Sequence, residues 1–554
     1  MRAYLLISLI SVTLIFLGLN DTRSSQKPLI NDDYNYIAVN DVKMYISNNG
    51  QGSSSPGYGM GFFWPGGEEA EKTVIYRDGL VWGGKVNSEI RVNGSTAFTG
   101  LQAGKILPDG SADNPDDPRY RVYKIRHDWE SLPPGEERDA YEVDYHEWPV
   151  ADGAPWIDID GDGIYTVGVD EPEFLGDEML WCVSNDMDTA RSHFTYGSDP
   201  ISFELQTLVY GFDEDNFLAD AVFKKYKLIH KGTTAIDSMY LSYWIDTDLG
   251  NVLDDYVGCD TLLNLGYTYN ADNEDGDGSG YSFGTPPPAV GHMIVQGPII
   301  QSQLTDSAKF GGKWISGCRN LPLSSFFIYI GSDATYKDPI MRDYQGAIEL
   351  YNNMKALTWR GDPVVDPHTG LISNYVVPGD PVTSKGWYEG SGWPGGEAPR
   401  SCRYLMTSGP FAMAVGDTQE VEIAIFMGMG ADNLDSITKL RATAREIHML
   451  FGNEIPNSVE ETRGNLLHSY HLYQNYPNPF NPLTTIDFSI PVSDYAKINI
   501  YNITGQLVTT LLERKVKSGN HTIEFNAQDL ASGIYLYQLQ SGSFQDVKKM
   551  VLIK

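Results

Sequence analysis

The stretch "WIDIDGDGIYTVGVDEPE" (156–173) carries the clearest chemistry in the sequence. Asp158, Asp160 and Asp162 stand at alternate positions, as the first three ligands of a calcium loop do. Gly163 follows where such a loop must bend, and the Ile164 carbonyl is next in line. Alternate carboxylates on a tight turn converge on one point, where like charges repel unless a hard cation lies between them. The twelfth position is Val169 rather than Glu, and the nearest acids are Asp170 and Glu171. The expected Ca2+ set is therefore Asp158, Asp160, Asp162, Ile164 and Asp170. No helical pattern flanks the loop, which excludes an EF-hand pair. The alternative is a solvated acidic turn.

A second acidic region runs through "DTDLGNVLDDYVGCDT" (246–261) and "NADNEDGDGSG" (270–280). Asp246, Asp248, Asp254, Asp255 and Asp260 are candidates for another ion or for an acidic pocket, against the reading of a loop surface. Paired carboxylates also invite a glycosidase reading. Catalytic signatures of other kinds are absent: there is no H-E-x-x-H, G-x-S-x-G, P-loop or C-x-x-C. The ten histidines are scattered without metal spacing. Dense aromatic runs such as "GWYEGSGWPGG" (386–396) and "YLSYWID" (240–246) can stack on sugars, or simply pack cores and turns.

These groups belong to a 554-residue chain of net charge −33. That length suits two to four domains. A surface so acidic repels phosphate backbones, which excludes nucleic acid as a partner class. The N-terminus, "MRAYLLISLISVTLIFLGLND", reads as a secretory signal peptide over 1–20, with an uncleaved anchor as the alternative. No second apolar run reaches spanning length, so the mature chain is expected to have no transmembrane segment. Cys182, Cys259, Cys318 and Cys402 allow three disulfide pairings. Cys318 and Cys402 both sit in polar, turn-like sequence and form the preferred pair; buried thiols are the alternative.

The 56 glycines, 30 prolines and 34 tyrosines, with few helix-period stretches, predict many short strands and turns. "SNNGQGSSSPGYGMGFFWPGGEE" (47–69) reads as loop. "TVIYRDGLVWGGKVNSEIRV" (73–92) reads as a meander turning at Asp78-Gly79 and Asn87-Ser88. Three strand-like runs follow between 201 and 248. In the middle one Val222, Lys224, Tyr226 and Leu228 share a face, opposite Phe223, Lys225, Lys227 and Ile229. Helices are predicted over 345–359 and over 435–452, the latter with an Asp/Ser N-cap and Gly452 just past its end. The fold class is mainly β: a large β-sandwich-type passenger over 21–452, in one or two subdomains and with one or two helices, a linker over 453–471, and a small Ig-like β-sandwich over 472–554.

The last segment opens with "NYPNPFNPLTTIDFSIP" (475–491), in which four prolines fix φ and prevent the linker from continuing as a helix or a central strand. Six or seven short alternating runs follow at roughly ten-residue spacing. This tail resembles the C-terminal sorting domain of the type IX secretion system. The residues that carry the resemblance are "NYPNPFNP" (475–482), "IYNITGQLV" (500–508), "LASGIYLYQL" (530–539) and "KKMVLIK" (548–554). The resemblance implies an Ig-like sandwich read by the outer-membrane translocon. It also implies a surface sortase as partner, and release or attachment to surface lipopolysaccharide, by way of the periplasm.

Phrases of the passenger such as "LVWGGKVNSEIR" (80–91), "YWIDTDLGNVLDDYVGCDT" (243–261) and "TSGPFAMAVGDTQEVEIAIFMGMG" (407–430) are similar to uncharacterised secreted passengers that carry the same tail. No activity transfers with that resemblance. The expected function is a non-enzymatic secreted or cell-surface protein, structural or adhesive and calcium-stabilised. The alternative is a carbohydrate-active protein, either a binding module or a glycoside hydrolase, for which a pocket of facing carboxylates between aromatic walls would speak.

Overall fold

Several strands of the passenger are buried at every position rather than alternating, and the architecture explains why. The structure is a computed structural model that describes residues 32–553, except 57–58, 277–280, 305, 332, 453–470, 473–474, 476–479, 491–492, 518, 529 and 543. The N-terminal apolar run and the predicted linker, apart from His471, lie outside the described residues. No helix among the described residues is long and apolar enough to cross a membrane.

Two large antiparallel sheets form the body of the passenger, with three two-stranded ribbons beside them among the described residues. The first runs Tyr34–Ile37, Lys43–Ser47, Phe62–Phe63, Thr73–Val86, Ile236–Thr247, Cys402–Met413, Ser325–Ile330, with Glu89–Gly94 also beside Thr73–Val86. The second runs Asp255–Asp260, Leu265–Asn270, Ala289–Gln296, Thr418–Gly428, Ala221–His230, Phe203–Gly211, Glu178–Asn185, Gln102–Ala103, with Tyr123–Arg126 also on Glu178–Asn185. Of the three runs expected between 201 and 248, the first two pair within the second sheet and the third crosses to the first. One hydrophobic core joins the sheets: Leu80, Leu241, Tyr243 and Met406 of the first meet Leu205, Val222, Tyr226 and Ile423 of the second. The second sheet's other face carries a separate core with Trp181, Phe223, Tyr267 and Phe426. Burial on both faces makes strands such as Glu178–Asn185 and Phe203–Gly211 buried at every position.

Four α-helices occur among the described residues, against the one or two expected: α1 (Glu136–His146), α2 (Thr189–Tyr196), α3 (Tyr344–Asn353) and α4 (Asn433–Leu450). The first two were hidden from a periodicity reading. α1 buries only Tyr141, so it has no apolar stripe, and α2 is eight residues long and depends on its Asp188 cap, whose side chain accepts the Arg191 N–H. α3 is shorter than predicted, since the chain leaves helical geometry at Ala356 with φ 54°. α4 lays Ile437, Leu440, Ala444 and Ile447 against the second sheet. Its cap is Asp432, three residues before the predicted Asp435, and Gly452 follows with φ 69°.

The expected turn at Asp78-Gly79 is not one. Thr73–Val86 is a single strand through it, and the turn falls at Asn87-Ser88, both with positive φ. Asp78 has a partner that holds it inside the sandwich. Its two carboxylate oxygens accept hydrogen bonds from the Lys224 ammonium at 2.6 and 2.7 Å, and both side chains are fully buried. The Tyr243 hydroxyl also donates to Asp78, at 2.7 Å. Burial lowers the pKa of Lys224 from its ordinary value, and the Asp78 charge opposes that shift. The face predicted for Val222, Lys224, Tyr226 and Leu228 is thus the core face, lysine included.

Over this ion pair lies the Gly-rich stretch. It is mostly loop, as expected, although Phe62–Phe63 pairs as a strand in the first sheet, and Ser47 to Ser55 are all buried. Its backbone exchanges hydrogen bonds with Asp78: Gly52 N–H to the Asp78 carbonyl at 2.9 Å, and Asp78 N–H back to Gly52 at 3.2 Å. A Cβ at residue 52 would lie 2.1 Å from Asp78 Oδ1 and 2.4 Å from Lys224 Nζ, so only glycine passes there.

The tail forms a sandwich of its own, as the sequence predicts. Sheets of three strands (His471–Leu472, Leu483–Ile490, Gly519–Asn526) and four strands (Leu507–Val516, Asp494–Asn502, Gly533–Ser541, Phe544–Leu552) close over a third core. The described ends of the proline-rich knuckle dock onto it. The Asn475 N–H donates to the Tyr537 hydroxyl at 2.7 Å, and the Phe480 N–H donates to the Val551 carbonyl at 2.9 Å. The terminal strand buries Met550 and Leu552.

The preferred Cys318–Cys402 disulfide is not formed. Cys182, Cys259, Cys318 and Cys402 are all free, buried thiols. Cys318 pairs through its backbone with Gln301 in a small two-stranded ribbon, while Cys402 lies in the first sheet opposite Ile330.

Gly52→Ala is expected to destabilise the protein by about 3 kcal/mol, because backbone and a buried ion pair must both move. Gly135→Ala, where a Cβ meets nothing within 4 Å, is the control. Thermal melting of both variants checks this; equal midpoints would contradict the close approach.

Candidate functional site

In the loop over 156–173 the short strands Trp156–Ile157 and Glu171–Pro172 pair and hold the acidic turn between them. Oxygens of Asp158, Asp160 and Asp162, all exposed, lie within 4.8 Å of one another. The turn is built by backbone N–H donors: Gly161 and Gly163 to Asp158, Asp162 to Asp160, and Ile164 to Asp162. Gly161 and Gly163 take φ of 77° and 76°. Hard carboxylate oxygens in this arrangement fit a calcium ion. Asp170 lies apart from the trio. It is buried, and its two oxygens accept the Ile159 and Thr166 N–H groups at 2.9 and 2.7 Å, so it clips the loop shut. The Ile164 side chain is exposed.

The acids of the second region do not converge on one point among the described residues, although burial raises the Asp255 carboxyl and Asp254 and Asp248, lying near it, add to that. Asp260 pairs with Arg441 of α4 at 3.2 Å, Asp254 accepts from Asn251, and Asp255, fully buried, accepts the Leu249 N–H. Asp248 has its carboxyl pushed up to about 6 by burial, against the pull of Arg403. Asp246 is different, and the sheet register shows why. It is paired with Arg77 on one side and Arg403 on the other, and Arg403 is paired with Tyr329. Directly paired residues point to the same face. Since Asp78 faces the core, Arg77, Asp246, Arg403 and Tyr329 form one polar row across four strands on the outer face.

Asp246, Arg403 and Tyr329 of that row line a cavity of about 230 Å3. Its walls are Trp244, Tyr196 at the end of α2, Leu350 of α3, and the segment Asp338 to Met341. Glu349 of α3 holds this last segment by accepting the Ile340 N–H at 3.0 Å, with Lys337 at 3.5 Å. Phe98 stands at the mouth, about half exposed, beside the exposed Ile340 and Met341. Asp338 grips Arg403 through two hydrogen bonds, of 3.1 and 2.7 Å. The Asp246 carboxylate, in a residue 8% exposed, makes no hydrogen bond among the described residues, and the buried Tyr329 hydroxyl also lacks a partner. Burial pushes the Asp246 carboxyl up to about 7; Asp248 and Asp338 add to this, while Arg403 and Arg77 oppose it.

Of these residues the sequence pointed to Asp246 alone, together with the run that contains Trp244. Asp338, Arg403, Tyr329 and Phe98 come from distant stretches, and only strand register brings them together. Trp64 and Trp387, from the other aromatic runs, pack in the core.

Residues 474–554 match the family described as the secretion system C-terminal sorting domain. The chain is thus a cargo of type IX secretion, exported through the periplasm to be secreted or attached at the cell surface. No curated protein matches the sequence. Among solved structures the chain is similar to a polysaccharide lyase, at 9% identity over 63% of this chain and 34% of that one, with a TM-score of 0.18. It is also similar to PorZ, a surface component of the type IX secretion system of Porphyromonas gingivalis, at 10% identity over 68% and 43%, with a TM-score of 0.12. The chain spans less than half the length of either, and at these scores neither likeness bears on its activity.

Asp246 makes stability depend on pH with a definite sign. Its carboxyl is raised from an ordinary 3.8 to about 7, so the folded state binds more protons than the unfolded one between those limits. The contribution of Asp246 to stability is present below pH 4 and lost as pH rises to 7. Asp246→Asn is expected to match wild type at pH 4 and to gain on it towards pH 8, by on the order of a few kcal/mol. Melting midpoints of the two proteins across that range check this; a constant difference would contradict it.

Proposed function

We propose that the passenger is a non-enzymatic secreted or cell-surface protein, structural or adhesive, stabilised by calcium at the Asp158–Asp162 loop. The observation that carries this reading is the convergence of three carboxylates on a glycine-bent turn, closed behind by the buried Asp170. Three exposed like charges within 4.8 Å are an unfavourable arrangement that a divalent cation relieves. Asp158, Asp160 and Asp162 would hold the ion with the Ile164 carbonyl, and Asp170 would keep the loop closed around it.

The engagement of the histidines supports a non-enzymatic role. His230, His368 and His448 bond backbone carbonyls, while His193 pairs with Asp199. His292 is buried against the Tyr404 hydroxyl at 2.7 Å, and burial drives its pKa down to about 3. None of them lines the cavity at Asp246. The tail supplies the proposed contacts with translocon and sortase, and surface lipopolysaccharide or another polysaccharide is the proposed partner of the passenger. A second reading, a carbohydrate-active protein, is favoured by the acid-and-aromatic cavity at Asp246. Glycoside hydrolysis needs two carboxyl groups free to act on one bond. Here Asp338 is clamped by Arg403, which supports binding over hydrolysis.

The test is the melting midpoint with millimolar calcium against chelator. A cation bound only by the folded state adds about 2.7 kcal/mol at a hundredfold excess over its dissociation constant. Val169 offers no carboxylate, so affinity is expected on the order of 10⁻⁴–10⁻³ M. Wild type should rise with calcium, and Asp160→Asn with Asp162→Asn should not. An unmoved wild type, or an equal response of the double variant, would contradict the site.

A further inference from the structure

We propose that the cavity beside Asp246 binds a single aromatic ring system that carries one hydrogen-bond donor, a phenol or an indole. The ring lies between the apolar walls and donates its O–H or N–H to the Asp246 carboxyl. This gives the adhesive reading a ligand class, and it rests on the passenger being a binding protein.

Three observations lead to it. First, Asp246 lines the cavity, is 8% exposed, and has a carboxyl that makes no hydrogen bond among the described residues. A carboxyl accepts a hydrogen bond whether ionised or protonated, so a donor on the ligand suits it in either state. The Tyr329 hydroxyl is fully buried and takes no part.

Second, other polar groups of the lining are already engaged. Arg403 gives its Nε and Nη2 to Asp338, so the protein itself supplies an anion for that guanidinium. The Thr195 hydroxyl donates to the Thr99 carbonyl at 3.1 Å, and the Tyr196 hydroxyl lies 3.4 Å from that of Thr96. A polyol would bury several hydroxyls against walls that leave most of them unanswered, which costs affinity. An anionic ligand would compete with Asp338 for Arg403 and crowd a second carboxyl, Asp246. One donor edge on an otherwise apolar body avoids both penalties.

Third, the walls suit a ring. Trp244, Tyr196 and Leu350 line the interior, and Phe98, Ile340 and Met341, all exposed, rim the mouth. Aromatic rings gain from stacked or edge-on contact with other rings. At about 230 Å3 the cavity falls below the roughly 300–1,000 Å3 of sites for larger ligands, which limits it to one ring system. Phenols and indoles come from two sources, free small molecules and the tyrosine or tryptophan side chains of another protein.

The test is saturation-transfer NMR on the full exported chain, with affinities from titration. The donor-bearing probes are para-cresol and skatole, and their counterparts without a donor are para-methylanisole and N-methylskatole. Cyclohexanol, para-toluate and methyl glucoside stand for a non-aromatic alcohol, an anion and a polyol. At least one donor-bearing ring is expected to bind, about tenfold more tightly than its methylated counterpart, the size of one hydrogen bond to a carboxylate. Asp246→Leu should erase that difference, while Asp246→Asn, which keeps an acceptor oxygen, should retain part of it. Phe98→Ala, a surface change, should weaken binding with an unchanged melting midpoint. A capped tyrosine tripeptide that binds as tightly as para-cresol assigns the pocket to a partner's side chain, and one that does not assigns it to a free small molecule. Absence of binding by both donor-bearing rings would overturn the proposal. So would equal binding by the methylated counterparts, cyclohexanol, para-toluate or methyl glucoside, or an affinity that neither Asp246→Leu nor Phe98→Ala moves. The melting response to calcium is read separately on the same proteins, and its absence would remove the calcium site while leaving this pocket in place.

Discussion

Two unlike charges buried between two sheets set the frame of this protein. Removing Asp78 and Lys224 from water costs several kcal/mol per ion, and their mutual attraction offsets this only if the remaining hydrogen-bonding capacity is met. Here both carboxylate oxygens receive the ammonium, Tyr243 adds a third donor, and the Gly52 backbone seals the pair from above. One partner comes from each sheet, so the pair fixes their register against each other. Apolar side chains alone, which tolerate sliding, do so less sharply.

Alternation then carries that constraint outward. A strand with Asp78 facing in must put Arg77 out, and pairing puts Asp246, Arg403 and Tyr329 beside it. A slip of one residue in Thr73–Val86 would turn Asp78 outward and Arg77 into the core. The helices complete the site without contributing charge to its floor: α2 presents Tyr196, and α3 clamps the Asp338–Met341 wall through Glu349. The calcium-loop candidate stands apart from this machinery, on a ribbon whose closure depends on Asp170.

The sequence was most legible where a pattern is local. The tail's strand spacing and its motifs, the alternation of Ala221–His230, the α4 periodicity and the acidic turn at Asp158 all depend on residues close in the chain. It was least legible where burial runs against residue type. Seven polar side chains lie within a fully buried loop at 47–55, and a lysine sits in the core because a carboxylate 146 residues away meets it. Asp78-Gly79 carries a turn signal that tertiary pairing overrides. Export direction was readable from the tail, whereas the cavity was not, since its lining brings together residues 246, 329 and 403 from separate strands.

The central claim, that the Asp78–Lys224 pair couples the two sheets, is tested most directly by a double-mutant cycle on unfolding stability with Asp78→Asn, Lys224→Met and the double variant. Each single change strands a buried polar partner and is expected to cost about 3–5 kcal/mol. The double variant should cost clearly less than the sum, by at least about 1–3 kcal/mol of coupling. Costs that add within about 0.5 kcal/mol would mean that the two residues do not act on each other, and that the sheets are registered by something else.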